Sequence, residues 1–128
     1  LSMSGNVIED IAALEAGHAP LKRLWLDGNR ISSEQLVHLS RFTGLEQLYL
    51  GSNLIHSIES LAPLTNLVML HLSNNYITEI KPISGMASLY ELWIDGNCIT
   101  DFSVLDVMNI NTVIGKTSQT PEKCISGL

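Results

Sequence analysis

Basic residues are scarce in this chain of 128 residues: seven Lys and Arg stand against thirteen Asp and Glu, a formal charge of −6. No basic run is longer than Lys22-Arg23, so the electrostatic footprint that holds nucleic acid phosphates or an anionic membrane is missing. Cysteine is scarcer still. Cys98 and Cys124 are too few for a disulfide framework, and neither sits in a C-x-x-C or Cys/His spacing suited to zinc, which leaves the redox compartment open. No apolar run approaches the length of a membrane span, and neither an initiator Met nor a charged-then-apolar leader opens the sequence, which reads as a piece of something longer. No cofactor is expected. With 45% hydrophobic residues the chain is nonetheless able to build one continuous core without a metal or disulfide staple.

What the sequence does have is a period. Leu67 to Ile77 reads L-x-x-L-x-L-x-x-N-x-I, and the same pattern starts at Leu21, Leu45 and Leu89. All twenty template positions are filled: Leu21, Leu24, Leu26, Asn29, Ile31; Leu45, Leu48, Leu50, Asn53, Ile55; Leu67, Leu70, Leu72, Asn75, Ile77; Leu89, Leu92, Ile94, Asn97, Ile99. With Asn6 added, the asparagines are spaced by 23, 24, 22 and 22 residues, within the range of leucine-rich repeats. The L-x-L core alternates in and out as a short parallel strand, and the Asn amide is suited to pair with backbone groups that the following turn would strand.

The return segments differ. Ser32 and Gln35 fit a capping box, with Leu36, Leu39 and Phe42 on one helical face, so the first return segment is expected to be α-helical. The 22-residue units leave room for only a 3₁₀ or extended turn, and Pro63 and Pro82 disfavour anything longer. Residues 1–14 align with 70–83, so the chain opens in mid-repeat with an unpaired strand edge, and further repeats or a cap are expected upstream. After Asn109 the pattern decays, with Asn111 and Lys116 where apolar residues should stand and Ile110, Val113 and Ile114 left as an irregular last strand. The expected division is a solenoid over 1–110 and a degenerate C-terminal cap, or a linker into another domain, over 111–128.

These motifs resemble the leucine-rich repeat superfamily over residues 1 to about 110. Leu61-Ala62-Pro63-Leu64-Thr65-Asn66-Leu67, Ile77-Thr78-Glu79-Ile80-Lys81-Pro82-Ile83 and Ile99-Thr100-Asp101-Phe102-Ser103-Val104-Leu105 are similar to the 22-residue units of bacterial internalin-like surface proteins. Eukaryotic phosphatase-regulating and dynein-light-chain leucine-rich repeat proteins use a closely similar unit. The resemblance implies an α/β leucine-rich repeat solenoid, with a concave parallel β-sheet and short helical or 3₁₀ convex segments. It also implies a protein or peptide partner bound on the concave face, and for the internalin-like branch a bacterial surface or secreted location.

Strand positions that face away from the core stack into columns about 4.8 Å apart. One column reads Ser2, Trp25, Tyr49, His71, Trp93, and the resemblance places it at the centre of the concave face. Its rings either pack along the solenoid for stability alone or present an interface anchor rich in Trp and Tyr. Flanking columns read Asp27, Gly51, Ser73, Asp95; Arg23, Gln47, Met69, Glu91; and Lys22, Glu46, Val68, Tyr90. The expected binding surface is therefore Trp25, Tyr49, His71 and Trp93, bordered by Arg23, Asp27, Met69, Tyr90, Glu91 and Asp95, with Lys22, Arg23 and Arg30 making the first unit basic and Glu91 and Asp95 the last acidic.

Other functions are weighed against this one. A spacer or end-to-end assembly unit would use the ends of the solenoid, and glycan binding would use the Trp25 and Trp93 rings. Catalysis is not expected, because Cys98 follows an Asn turn while His71 is mid-strand, so no nucleophile, base and orienting acid converge. His18, His38 and His56 are expected to face solvent away from the strands, and Asp27-Gly28-Asn29 and Asp95-Gly96-Asn97 to be tight turns rather than calcium loops.

Overall fold

The computed structural model describes residues 1–17 and 20–125. Five three-residue strands, β1 (Arg23–Trp25), β2 (Gln47–Tyr49), β3 (Met69–His71), β4 (Glu91–Trp93) and β5 (Thr112–Ile114), form one parallel sheet in sequence order. Leu24, Leu48, Leu70, Leu92 and Val113 stand side by side in it. The first four of these are fully buried, as are Leu26, Leu50, Leu72 and Ile94 two residues on. An apolar residue at every second strand position thus supplies a continuous core, and parallel strands tolerate this because the return segments cover one face. Ser2 bridges Trp25, so the opening residues add to the sheet at the β1 edge.

The return segments are all 3₁₀ turns among the described residues: Ala12–Ala16, Ser33–Leu39, Glu59–Leu61, Lys81–Gly85, Ser103–Val107 and Pro121–Cys124. The expected α-helix after Asn29 is not formed. Ser32 makes no side-chain cap, and the Gln35 carboxamide that would complete the box instead accepts the N–H of Ile11 in the preceding unit at 2.9 Å. The Ser33 hydroxyl likewise accepts from His56 and Ser57 N–H of the next unit. Side chains that read as local caps stitch neighbouring turns together. Leu36 and Leu39 are buried as the helical face required, because a 3₁₀ turn also brings residues three apart to one side.

The asparagines form the ladder. Asn75 Nδ2 donates to the Leu72 carbonyl of its own unit (3.1 Å) and to Leu50 of the preceding one (2.9 Å), while its Oδ1 accepts from Ile55 N–H (3.1 Å) and Asn53 N–H (3.2 Å). Asn29, Asn53 and Asn97 repeat the pattern. The position before each Asn is left-handed, filled by Gly28 and Gly96 but also by Ser52 (φ 55°) and Asn74 (φ 57°).

The last rung is a glutamine. Gln119 Nε2 donates to Ile94 and Gly115 carbonyls, each at 2.8 Å, and its Oε1 accepts from Ile99 N–H at 3.0 Å. Val113 follows its partner Leu92 by 21 residues whereas Gln119 follows Asn97 by 22, so one residue is inserted between strand and rung. Gly115 absorbs it with φ at +102°, and a Cβ there would come within 2.3 Å of Asp95 backbone. The apparent decay after Asn109 is this slip in register: with the strand read one residue earlier, Val113 fills the core position. Cys98, buried just after the Asn97 rung, is joined to Cys124 by a disulfide, with Cα atoms 6.3 Å apart. The pair that gave no spacing signal in the sequence clasps the Pro121–Cys124 turn to the last complete repeat.

Candidate functional site

Each strand contributes its central residue to the core and the next residue to the opposite, concave face, which puts Trp25, Tyr49, His71, Trp93 and Ile114 in one column. The rings touch in sequence. Trp25 stacks on Tyr49 (centroids 5.4 Å, planes 13° apart), Tyr49 meets His71 edge to face (6.0 Å, 75°), and His71 meets Trp93 likewise (5.4 Å, 78°). Ring packing and ring exposure therefore coexist: Trp25, Tyr49 and His71 are half-buried, and Trp93 is exposed at 37%. In the neighbouring columns Val68 and Tyr90 are exposed at 40% and 56%, so apolar surface is concentrated on β3, β4 and β5.

The carboxylates on this face are not idle. Asp27 reaches across a whole repeat: its Oδ1 accepts from Gly51 N–H at 2.9 Å and lies 3.1 Å from His71 Nδ1. Gly51 is what permits this, since a Cβ there would sit 3.0 Å from both Asp27 Oδ1 and His71 Cε1. Sequence reasoning placed Asp27, Gly51 and His71 in two columns and missed the bridge, because it skips a unit; a glycine interrupting a polar column was the available signal. Asp95 accepts the Ser73 hydroxyl, and Glu91 Oε1 accepts the Trp93 indole N–H at 2.7 Å. Arg23 is exposed at the β1 edge. Arg30 does not belong to this face: the chain has already turned at Asn29, and its guanidinium lies 3.8 Å from Glu9, with both side chains exposed.

Tyr49, Met69, His71, Glu91 and Trp93 surround an open hollow of about 260 Å³. The Tyr49 hydroxyl points to the Met69 thioether, and burial, then the Glu91 and Asp27 carboxylates, push the phenol above its ordinary pKa. A larger open hollow of about 560 Å³ lies between return segments, lined by His56, Ser57, Glu59, Ala62, Thr78, Glu79, Lys81 and Pro82. It is the less convincing site of the two. Its lining is mostly polar and solvent-facing, and Glu79 and Lys81 lie 3.8 Å from each other. Size alone does not select it over a hollow walled by three rings. Beyond it Tyr76 is stacked by His56 (5.2 Å) and covered by Lys123 Nζ 4.7 Å from its centroid, where burial lowers the lysine pKa. His38, expected in solvent, is partly buried with Nδ1 2.6 Å from Glu15 Oε2; His18 lies outside the described residues.

A five-strand parallel sheet backed by 3₁₀ turns and tied by an Asn ladder has counterparts among known families. A leucine-rich repeat model matches residues 19–77, and a second, described as two copies of leucine-rich repeats, matches 65–107. The chain belongs to the leucine-rich repeat superfamily. No curated protein matches the sequence. Among solved structures, the leucine-rich repeat chain is similar to an internalin, InlF, from Listeria monocytogenes (26% identity, TM-score 0.79) over 96% of its length and 37% of the internalin. It is similar to internalin C2 of the same organism (30% identity, TM-score 0.76) over 88% of its own length and 47% of that chain. It thus spans less than half of either internalin. The Arabidopsis receptor kinase HAESA, solved in complex with the peptide hormone IDA and the co-receptor SERK1, shares the fold at 24% identity and TM-score 0.74, over 94% of this chain and 22% of HAESA.

Proteins of this superfamily are typically non-enzymatic binding modules. Asp27 orients an imidazole as an acid–base pair requires, but the nearby Ser73 hydroxyl is given to Asp95 and not to His71. Among the described residues no group of three or more His, Cys, Asp or Glu is placed to hold a metal ion. Among the described residues no helix is long and apolar enough to cross a membrane.

Proposed function

We propose that the concave sheet is a docking surface for a protein or peptide segment, anchored on Trp25, Tyr49, His71 and Trp93 and extended by Met69 and Tyr90. Arg23, Asp27, Glu91 and Asp95 supply polar discrimination around that strip. The observation that carries this reading is the unbroken ring column ending in exposed Trp93 beside exposed Tyr90 and Val68. Aromatic side chains on rigid strands lose little entropy on binding and are the residues that most often anchor interfaces. HAESA, which shares the fold, was solved with a peptide hormone. That is a precedent for the ligand class and not for the residues. Stacking of Trp25 on Tyr49 occupies one face of each ring, which favours this reading over glycan stacking on Trp25.

Panning a displayed random-peptide library on the chain tests the proposal. Selected peptides are expected to lose affinity at least about tenfold on Trp93→Ala, the range of a truncated aromatic anchor. Peptides that bind that variant as tightly as the parent would place recognition elsewhere.

A further inference from the structure

The hollow on the concave face has a chemistry of its own. Three rings, a thioether and one carboxylate line it, and Asp27 faces the His71 ring at 3.1 Å. Around it the fixed charges are Glu91 on β4, Asp27 before Gly28 and Asp95 after Trp93, against Arg23 on β1; burial, then the Glu91 and Asp27 carboxylates, raise the pKa of the Tyr49 phenol, and Arg23 opposes them. Lys116, two residues after Ile114 of the same column, is turned to the Phe102 ring, with its Nζ 5.7 Å from the centroid.

Resting on the docking reading above, we infer that the hollow of Tyr49, Met69, His71, Glu91 and Trp93 receives a basic side chain, Arg or Lys, from the docked segment. The Trp93 N–H holds Glu91 Oε1 at 2.7 Å, so the carboxylate is already fixed beside the indole, and its second oxygen has no hydrogen-bond partner among the described residues. A cation brought to that oxygen is also brought against aromatic faces, whose electron density attracts it, with Trp the strongest of the rings. The methylene stem of Arg or Lys suits the Met69 thioether and the ring walls, since such side chains bury their stems on apolar surface while the charged head stays at a polar group. An acidic side chain would meet Glu91 and Asp27 instead. A chain of net charge −6 adds a long-range attraction for a basic segment and steers its approach.

The same displayed library provides the test, taken on the whole chain. Ligands that depend on Trp93 are expected to carry an Arg or Lys, and replacing it by citrulline or Nε-acetyl-lysine lowers affinity about tenfold on the parent but less than about twofold on Glu91→Gln, the coupling of a cation to a ring and a carboxylate. Glu59→Gln, an exposed carboxylate on the return segment Glu59–Leu61 and outside the lining of the hollow, keeps the full tenfold loss and controls for net charge. Trp93-dependent ligands without a basic residue, or with one whose neutral replacement changes nothing, overturn the cation inference and leave the docking surface standing. Ligands indifferent to Trp93→Ala, or no Trp93-dependent ligand at all, overturn both.

Discussion

Two columns of side chains run the length of this sheet, and they are built on opposite principles. The ladder of Asn29, Asn53, Asn75, Asn97 and Gln119 is buried or nearly so, chemically uniform, and spends its hydrogen-bonding capacity on backbone groups of two units at a time. The column of Trp25, Tyr49, His71 and Trp93 is half-exposed and different at every step. The difference separates two duties. Uniformity is what a repeating fold demands, since each rung must satisfy the same stranded N–H and C=O groups. Variation along a rigid, partly exposed column is what recognition requires, and it costs the fold little because the rings add only packing among themselves.

Breaking a rung should therefore do the most damage to stability. Asn75→Leu strands the Ile55 and Asn53 N–H groups in the interior, while the Leu50 carbonyl keeps the Asn53 amide, and the expected loss is about 4 kcal/mol, from two unpaired groups at roughly 1–3 kcal/mol each. Urea unfolding measures it. Opening the Cys98–Cys124 clasp comes next. Cys98→Ser, or reduction, should cost about 3 kcal/mol for a loop of this length, with amide exchange rising first in Pro121–Cys124 and the Gln119 rung while the β2 and β3 strands stay protected.

Smaller changes probe the second column. Gly51→Ala forces a methyl between Asp27 and His71, with an expected cost of about 1–2 kcal/mol from overpacking and a shift of the His71 ring resonances, the sign that the bridge has parted. Least of all, Ser52→Gly relieves a left-handed backbone and should raise stability by about 0.5 kcal/mol, the strain released being partly offset by the added entropy of glycine in the unfolded chain.

Much of the first column was legible from sequence and only part of the second. The leucine and asparagine positions are read directly because each is dictated by its own unit. Gln119 escaped because one inserted residue at Gly115 moved it out of register with the strand before it, and glutamine is not the residue the pattern asks for. The Ser33–Leu39 segment read as an α-helix because Ser32 and Gln35 have the spacing of a cap, yet Gln35 serves Ile11 in the preceding unit, a partner that local reasoning cannot see. The same limit hid the Asp27–His71 bridge, whose partners are 44 residues apart, and the disulfide, whose two cysteines have no neighbours to give them a pattern. Columns are visible in sequence; contacts that cross a column diagonally need the stacked backbone.

The separation of duties is tested most directly by measuring one variant two ways. Trp93→Ala is to be compared with the parent both in unfolding free energy and in affinity for a peptide selected on the parent chain. The account predicts a stability change within about 1 kcal/mol, the scale of a ring pair lost at a half-exposed site, and an affinity loss of at least about tenfold. Unchanged affinity, or a stability loss as large as that of Asn75→Leu, would contradict it.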